Sequence, residues 1–196
     1  MDRAQQLRAG VRRAYSAAAD RPREKHPFPV GRQFAGSLGY PSETLDNLPE
    51  VSVDAFSGVS NVSIFADIPK GATVLDLGCG AGLDSLIAAR RAEQTGKVIG
   101  VDFSEAMLGR ARQGAAECGA DNAQFLRAEA EKLPLEDGSI DVALVNSIFN
   151  LNPAREAIFR ELARVIRPGG VAYVAELILS EPLPAGVQTG ESDWFA

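Results

Sequence analysis

From Gly71 onward the apolar residues change their spacing in strict alternation, and this limits the possible folds more than any other feature of the chain. ATVLDL (72–77) is a continuous apolar run with β-branched residues that ends in glycines, the pattern of a strand buried on both faces. Leu83, Leu86, Ile87 and Ala89 follow at helical spacing and stop at Thr95-Gly96; KVIGVD (97–102) is the second strand. Ser104 is placed to cap a helix carrying Met107, Leu108 and Ala111, which ends near Cys118-Gly119. AQFLRA (123–128) gives a third strand and, after an Asp137-Gly138 turn, IDVALVN (140–146) a fourth. Asn152-Pro153 reads as a cap with proline at the first helical position, with Ile158, Leu162, Val165 and Ile166 on one face and RPGG (167–170) as the stop; VAYVAELIL (171–179) is the fifth strand. Strands separated by helices need crossover connections, which make them parallel and put helices on both faces, so the segment predicts a three-layer α/β sandwich. Ligands of such sheets lie beyond the carboxyl ends of the strands, here just after residues 77, 102, 128, 146 and 177.

The 196 residues have room for this one domain and a small cap. In the N-terminal segment Leu7, Val11, Ala14, Tyr15 and Ala18 recur at helical spacing, which predicts a docking helix over residues 3–19. Prolines 22, 27 and 29 and glycines 31, 36 and 39 then read as a linker, followed by helices around Ser42–Leu48 and Ser60–Asp67. The expected organisation is a helical cap (1–70), a ligand-binding domain (71–180) and a tail (181–196).

Net charge is −6, but residues 1–25 carry an excess of +4, read as a solvated helix face. An acidic remainder argues against a nucleic-acid or anionic-lipid surface. One histidine, His26, and two cysteines, Cys79 and Cys118, cannot assemble a histidine-rich or four-cysteine metal centre, so no metal is expected. That cysteine usage suits a reducing cytoplasm, and no segment has the length and apolarity of a signal peptide or a bilayer span.

The richest strand end is Asp76-Leu77-Gly78-Cys79-Gly80-Ala81-Gly82. Its glycines permit a tight turn and let a ligand approach the main chain. Asp102 ends the second strand, where an acid can accept both hydroxyls of a ribose. A dinucleotide dehydrogenase shares that acid, but its fingerprint calls for Gly or Ala where Leu83 stands. Asp76 would also repel a pyrophosphate at the turn, whereas it suits the ammonium and sulfonium of S-adenosylmethionine.

VLDLGCGAGLD, VIGVDFSEAML, AEKLP and VIRPGG, in this order and spacing, resemble the class I S-adenosylmethionine-dependent methyltransferases over residues 71–179. LGYPSETLDNLPE through SGVSN, GLDSLIAARRAEQTGKVIGVD and NSIFNLNP resemble the arsenite methyltransferase branch of that family. The resemblance implies a doubly wound, Rossmann-like sheet in the order 3-2-1-4-5. It makes Asp76, Gly78, Cys79, Gly80, Ala81 and Gly82 the turn around the methionine end, and Asp102 the ribose acceptor with Phe103 and Met107 beside the adenosine. Glu129 and Ala130 would lie near the adenine, and Asn146, Ser147 and Ile148 under the methionine. Against these stand plain structural readings: Phe103 and Met107 as core, Glu129 as a solvated acid, Asn146 as a strand terminator. Glu176, at the end of the fifth strand, is the candidate general base, and Tyr15 and Phe34 are candidates to close over the cofactor.

Two departures qualify the resemblance. Arsenic-handling members of the branch place cysteines at the position of Val59 and within the segment matching Asn146–Asn150, and neither place holds sulfur here, so a carbon, nitrogen or oxygen of a small molecule is the expected methyl acceptor, reached by direct in-line displacement. The family sheet also continues with a sixth and a seventh strand, for which EPLPAGVQTGESDWFA offers neither length nor alternation. That leaves the fifth strand as an apolar edge and predicts a homodimer or a partner chain covering it. A cofactor-binding protein without activity, or one half of a two-chain enzyme, stays open as the alternative.

Overall fold

A computed structural model describes residues 3–178 and 180–181. Five parallel strands, β1 (Thr73–Leu77), β2 (Lys97–Asp102), β3 (Ala123–Arg127), β4 (Ile140–Asn146) and β5 (Ile166–Ala175), form one sheet in the order β3-β2-β1-β4-β5. The helices are α1 (Arg3–Asp20), α2 (Arg32–Ser37), α3 (Ser42–Asp46), α4 (Glu50–Val53), α5 (Val62–Phe65), α6 (Leu83–Ala92), α7 (Glu105–Cys118) and α8 (Arg155–Val165). The Rossmann-like sandwich and its strand order are therefore as the sequence implies. The order reverses between β1 and β4, and with both strands running the same way their carboxyl ends open one crevice.

The central strands are apolar on both faces because each face meets a packed layer. Leu75, Leu77, Ala143 and Val145 pack with Ile158, Leu162 and Val165 of α8 on one side. Val74, Val98, Val142 and Leu144 pack on Ala88, Ala89 and Ala92 of α6 and Val62 of α5 on the other. The cap lies against α6 and α7: Tyr40, Leu45, Leu48, Val53 and Phe56 share a cluster with Leu83, Leu86, Leu108 and Phe125. Ser104 caps α7 as expected, its side chain accepting from Met107 N, and Gly119 closes that helix in the left-handed conformation.

Four local expectations are corrected. α2 and α4 occupy stretches read as linker or left unassigned; six- and four-residue helices are too short to show a period, and burial of Ala35, Ser52 and Val53 holds them. α8 begins at Arg155 rather than at Pro153, because Asn152 Oδ1 accepts Ala154 N at 2.8 Å in a side-chain turn that delays the helix. RPGG is not a loop: β5 starts at Ile166, directly after α8, and the register shift between Ile140 and Val142 absorbs these residues within the strand. β5 also ends at Ala175 and does not run through Ile178, since Glu176 turns its carboxylate onto the backbone N–H of Phe149 (2.7 Å) and Asn150 (3.4 Å). Leu179 and the tail 182–196 lie outside the described residues.

Among the described residues β5 is an edge strand, with Val171 and Val174 nearly half exposed and Leu177 and Ile178 more so. No helix among them is long and apolar enough to cross a membrane.

Candidate active site at the strand ends

The crevice is bounded by the β1–α6 turn, the residues after β2, β3 and β4, and the cap, and encloses about 1070 Å³ including its open part. The turn is drawn against β2: Gly78 N and Cys79 N both donate to the Val101 carbonyl, at 2.8 and 3.0 Å. Gly78 has φ +77°, and a Cβ there would meet the Ile148 side chain at 3.4 Å, so only glycine combines this conformation with the close approach of the β4 loop.

Three buried carboxylates converge here. Asp76 (2% exposed) accepts from Ser85 Oγ at 2.5 Å; burial, then the neighbouring Asp84 and Asp102, push its carboxyl up to about 8. Asp102 accepts from Gly80 N at 3.0 Å and Ser104 N at 2.8 Å; burial raises it to about 6 although the backbone N–H groups of Ser104, Gly80 and Phe103 oppose the rise. Asp84, in the first turn of α6, takes Tyr40 OH (2.6 Å), Ser63 N (3.3 Å) and Ser63 Oγ on one oxygen and Asn146 Nδ2 (2.9 Å) on the other. The partners of these acids are hydroxyl, amide and backbone N–H groups. Buried acids held only by neutral donors suit a positively charged ligand and disfavour a phosphate beside the turn.

Asn146 links β4 to the cap. Its Oδ1 accepts Val59 N (2.9 Å) and Ser60 N (3.2 Å), and its Nδ2 donates to the Ser60 carbonyl (2.8 Å) as well as to Asp84. A Cβ on Gly58 would lie 2.5 Å from Asn146 Nδ2, so the cap loop can approach only as glycine. Gly58→Ala is expected to displace Asn146 and cost about 1–3 kcal/mol, read as a lowered midpoint in thermal unfolding. Next to it Ser147 sits at φ +65°, a conformation unfavourable for serine, with its N–H on the Ala175 carbonyl at 2.9 Å.

A methyltransferase-domain family matches residues 68–194, on the fold whose crevice has just been described. The chain belongs to the class I S-adenosylmethionine-dependent methyltransferases. It lies near their arsenite branch: it is 36% identical over 151 residues to an arsenite methyltransferase of Halobacterium salinarum, covering 77% of this chain and 38% of that protein. The crystal structure of CrArsM, an arsenic(III) S-adenosylmethionine methyltransferase from Chlamydomonas reinhardtii, superposes with a TM-score of 0.63 at 30% identity, over 86% of this chain and 57% of that one. A putative methyltransferase solved in complex with the Haloferax volcanii Trm112 methyltransferase activator gives 0.59 at 25% identity, over 85% and 60%. The chain thus spans 38% of the length of the curated relative and 57% of the solved one.

Of the residues expected to hold the cofactor, Asp76, Gly78, Cys79, Gly80, Ala81, Asp102, Phe103, Glu129, Ala130, Asn146, Ser147 and Ile148 line this crevice. Gly82 and Met107 do not. Met107 is buried beneath the turn with Ala81, Ala18 and Phe28, its Sδ 4.0 Å from where a Cβ on Gly80 would stand. Glu176 is not in the lining either, and both its oxygens face backbone N–H groups, those of Phe149, Asn150 and Leu177. Tyr15 reaches the crevice; burial and then the charges of Asp102 and Glu176 push its phenol up, which keeps it a proton donor. Phe34 packs in the cap against Phe56, away from the opening.

Two groups of lining residues were not anticipated. Asp84 reads in sequence as an ordinary acid at a helix start; only the fold brings Tyr40, Ser63 and Asn146 to it. Arg8 and Arg12 belong to the basic excess read as a solvated face, yet both line the crevice, and Arg12 pairs with Glu129 at 2.5 Å over the Phe103 ring. Glu129 is accordingly an ion-paired acid and not a freely solvated one.

Proposed function

We propose that this chain binds S-adenosylmethionine in the crevice and transfers its methyl group to a small-molecule acceptor. The observation that carries the reading is the set Asp76, Asp84 and Asp102, buried around a glycine turn and held by neutral donors. The donor set fits the cofactor: Asp76 and the turn would hold the cationic methionine end, and Asp102, which keeps acceptor capacity beyond its backbone bonds, would accept from the ribose hydroxyls. When bound, S-adenosylmethionine supplies a methyl group already attached to a good leaving group. The protein's own part is then to bind, to orient and to exclude water. Val11 and Tyr15 of α1 line the crevice from the cap, and Ser57, Gly58 and Leu151, lining residues without a role toward the cofactor, would meet an acceptor. Glu176 acts by holding the loop after β4 in place through its bonds to Phe149 N and Asn150 N, not as a base.

The acceptor is an atom other than arsenic held by protein thiolates. Val59 and Ser147-Ile148-Phe149 offer no sulfur, and the Cys79 thiol is pushed well up by burial and by Asp102 and Asp76. Calorimetric titration with S-adenosylhomocysteine and with NAD tests the cofactor reading: the first is expected to bind and the second not to. Tight NAD binding would overturn it. Methyl release from labelled S-adenosylmethionine across a panel of small acceptors then separates an active enzyme from a binding protein.

A further inference from the structure

α1 is attached to the rest of the molecule in two different ways. Its last turns are anchored by packing: Ala18 and Ala19 are buried in a cluster with Ala55, Ala81 and Met107, Tyr15 stacks on Phe28 with ring centroids 4.4 Å apart, and Ser16 Oγ meets Ser104 Oγ at 3.0 Å. Arg110 Nε also donates to the Ala19 carbonyl, at the helix end. One and two turns earlier the polar contacts are charged. Arg8 Nη2 lies 2.5 Å from Glu131 Oε1, Arg12 Nη2 donates to Glu129 Oε1 at 2.5 Å, and the Arg12 guanidinium stands 5.5 Å above the Phe103 ring.

The spacing is that of two rungs. Arg8 and Arg12 are four residues apart and so share one helix face; Glu129 and Glu131 are two apart on the segment after β3. Arg12 thereby crosses from the residue after β2 to the segment after β3, over the end of the crevice where Asp102 stands, and both arginines line that crevice.

Both rungs are weak enough to open. The Arg12–Glu129 pair is about half exposed on both sides, which makes it weak and sensitive to salt. The Arg8–Glu131 contact is more enclosed, but Arg8 Nε and both Glu131 oxygens are buried without a hydrogen bond of good geometry, so its desolvation is incompletely offset. Ionic contacts of this kind hold a helix closed without locking it.

We propose that Arg8 and Arg12 form a two-rung ionic latch with Glu131 and Glu129, by which the first half of α1 closes the crevice over the nucleoside end of its ligand and sets how fast that ligand leaves. The inference rests on the cofactor reading above. Its test is the dissociation of S-adenosylhomocysteine, followed by stopped-flow displacement, from the wild-type chain and from the double variant Arg8→Gln, Arg12→Gln. The double variant is expected to release the ligand about tenfold faster. Raising NaCl from about 50 to about 500 mM is expected to speed release from the wild type several-fold and to have little further effect on the double variant. The charge exchange Arg8→Glu with Glu131→Arg, at the rung whose acid does not line the crevice, is expected to release the ligand more slowly than Arg8→Glu alone, which simple loss of packing would not do. Dissociation that is unchanged in the double variant, or equally salt-dependent in it, overturns the latch while leaving the cofactor reading intact. No binding of S-adenosylhomocysteine to the wild type overturns both. Unfolding midpoints guard against a misfolded double variant; should it fail to fold, Glu131→Gln alone carries the same expectation of faster, less salt-dependent release, and unchanged release there overturns the latch.

Discussion

Replacing Asp76 by asparagine is expected to stabilise the unliganded protein at pH 8 while removing most of its affinity for the cofactor. The carboxyl is buried and raised to about 8 by burial and by Asp84 and Asp102, against 3.8 for the free group. Between those values the folded protein keeps a proton that the unfolded chain has lost. The unfolded state therefore binds fewer protons, and stability falls as pH rises from about 4 to about 8. Asp102, raised to about 6, adds a loss of the same sign between about 4 and 6. An asparagine has no proton to lose and can still accept from Ser85 Oγ. The variant should match the wild type near pH 4 and exceed it at pH 8, by at least about 5 °C in unfolding midpoint, since each pKa unit is worth about 1.4 kcal/mol. A variant no more stable than the wild type at pH 8 would show that the carboxylate is not strained.

The same residue makes binding depend on pH. A cationic ligand favours the ionised form of Asp76, so its binding below pH 8 should release protons, visible as a heat that changes with the ionisation enthalpy of the buffer. Affinity for S-adenosylmethionine should rise from pH 6 to pH 8 in the wild type and lose most of that rise in Asp76→Asn, where Kd is expected to be about a hundredfold higher at pH 8. Stability and binding thus move in opposite directions at one atom, as expected where a folded protein holds charge that only its ligand neutralises.

How much of this was legible in the sequence follows from the range over which each interaction acts. Ser104 was readable as a cap because its acceptor acts on Met107, three residues away, and the strands were readable because burial on both faces leaves an unbroken apolar run. Asp76, Gly78 and Asp102 could be placed since strand ends and glycine turns are local features that a parallel sheet brings to one edge. The cap was readable only in part: α1 and α3 were, but α2 and α4 are one turn or so each, and what holds them is a surface made by α6 and α7 thirty or more residues later. The basic excess of α1 has the same cause: Arg8 and Arg12 look solvated until the segment after β3, 117 residues from Arg12 to Glu129, is folded beneath them.

Asp84 is the clearest of these long-range residues, and Asp84→Ala is expected to have the largest structural effect of any single change in the crevice. Its oxygens are the only acceptors shown for Ser63 Oγ and one of two for Tyr40 OH, whose other is the Ser60 carbonyl at 3.1 Å. Removal would leave buried donors from the cap and from Asn146 without an acceptor, at about 1–3 kcal/mol each and not additively. The relief of repulsion with Asp76 returns part of that cost, so a net loss of about 3 kcal/mol and a midpoint lowered by about 10 °C are expected at pH 7. Asp84→Asn separates charge from hydrogen bonding. Its carbonyl can still serve Tyr40 and Ser63, but its amide would then face Asn146 Nδ2, donor against donor, and Asn146 cannot rotate to accept without losing Val59 N and Ser60 N. The exchange Asp84→Asn with Asn146→Asp restores a donor opposite an acceptor, and its carboxylate keeps the bonds to Val59 and Ser60 while giving up the one to the Ser60 carbonyl. The double variant should therefore be more stable than Asp84→Asn alone in a double-mutant cycle, and a cycle with no coupling would mean that Asn146 and Asp84 do not hold the cap loop together. Since Ser57 and Gly58 of that loop line the crevice, its release would widen the crevice, and cofactor affinity should fall with the loss of the pairing even though neither variant touches Asp102.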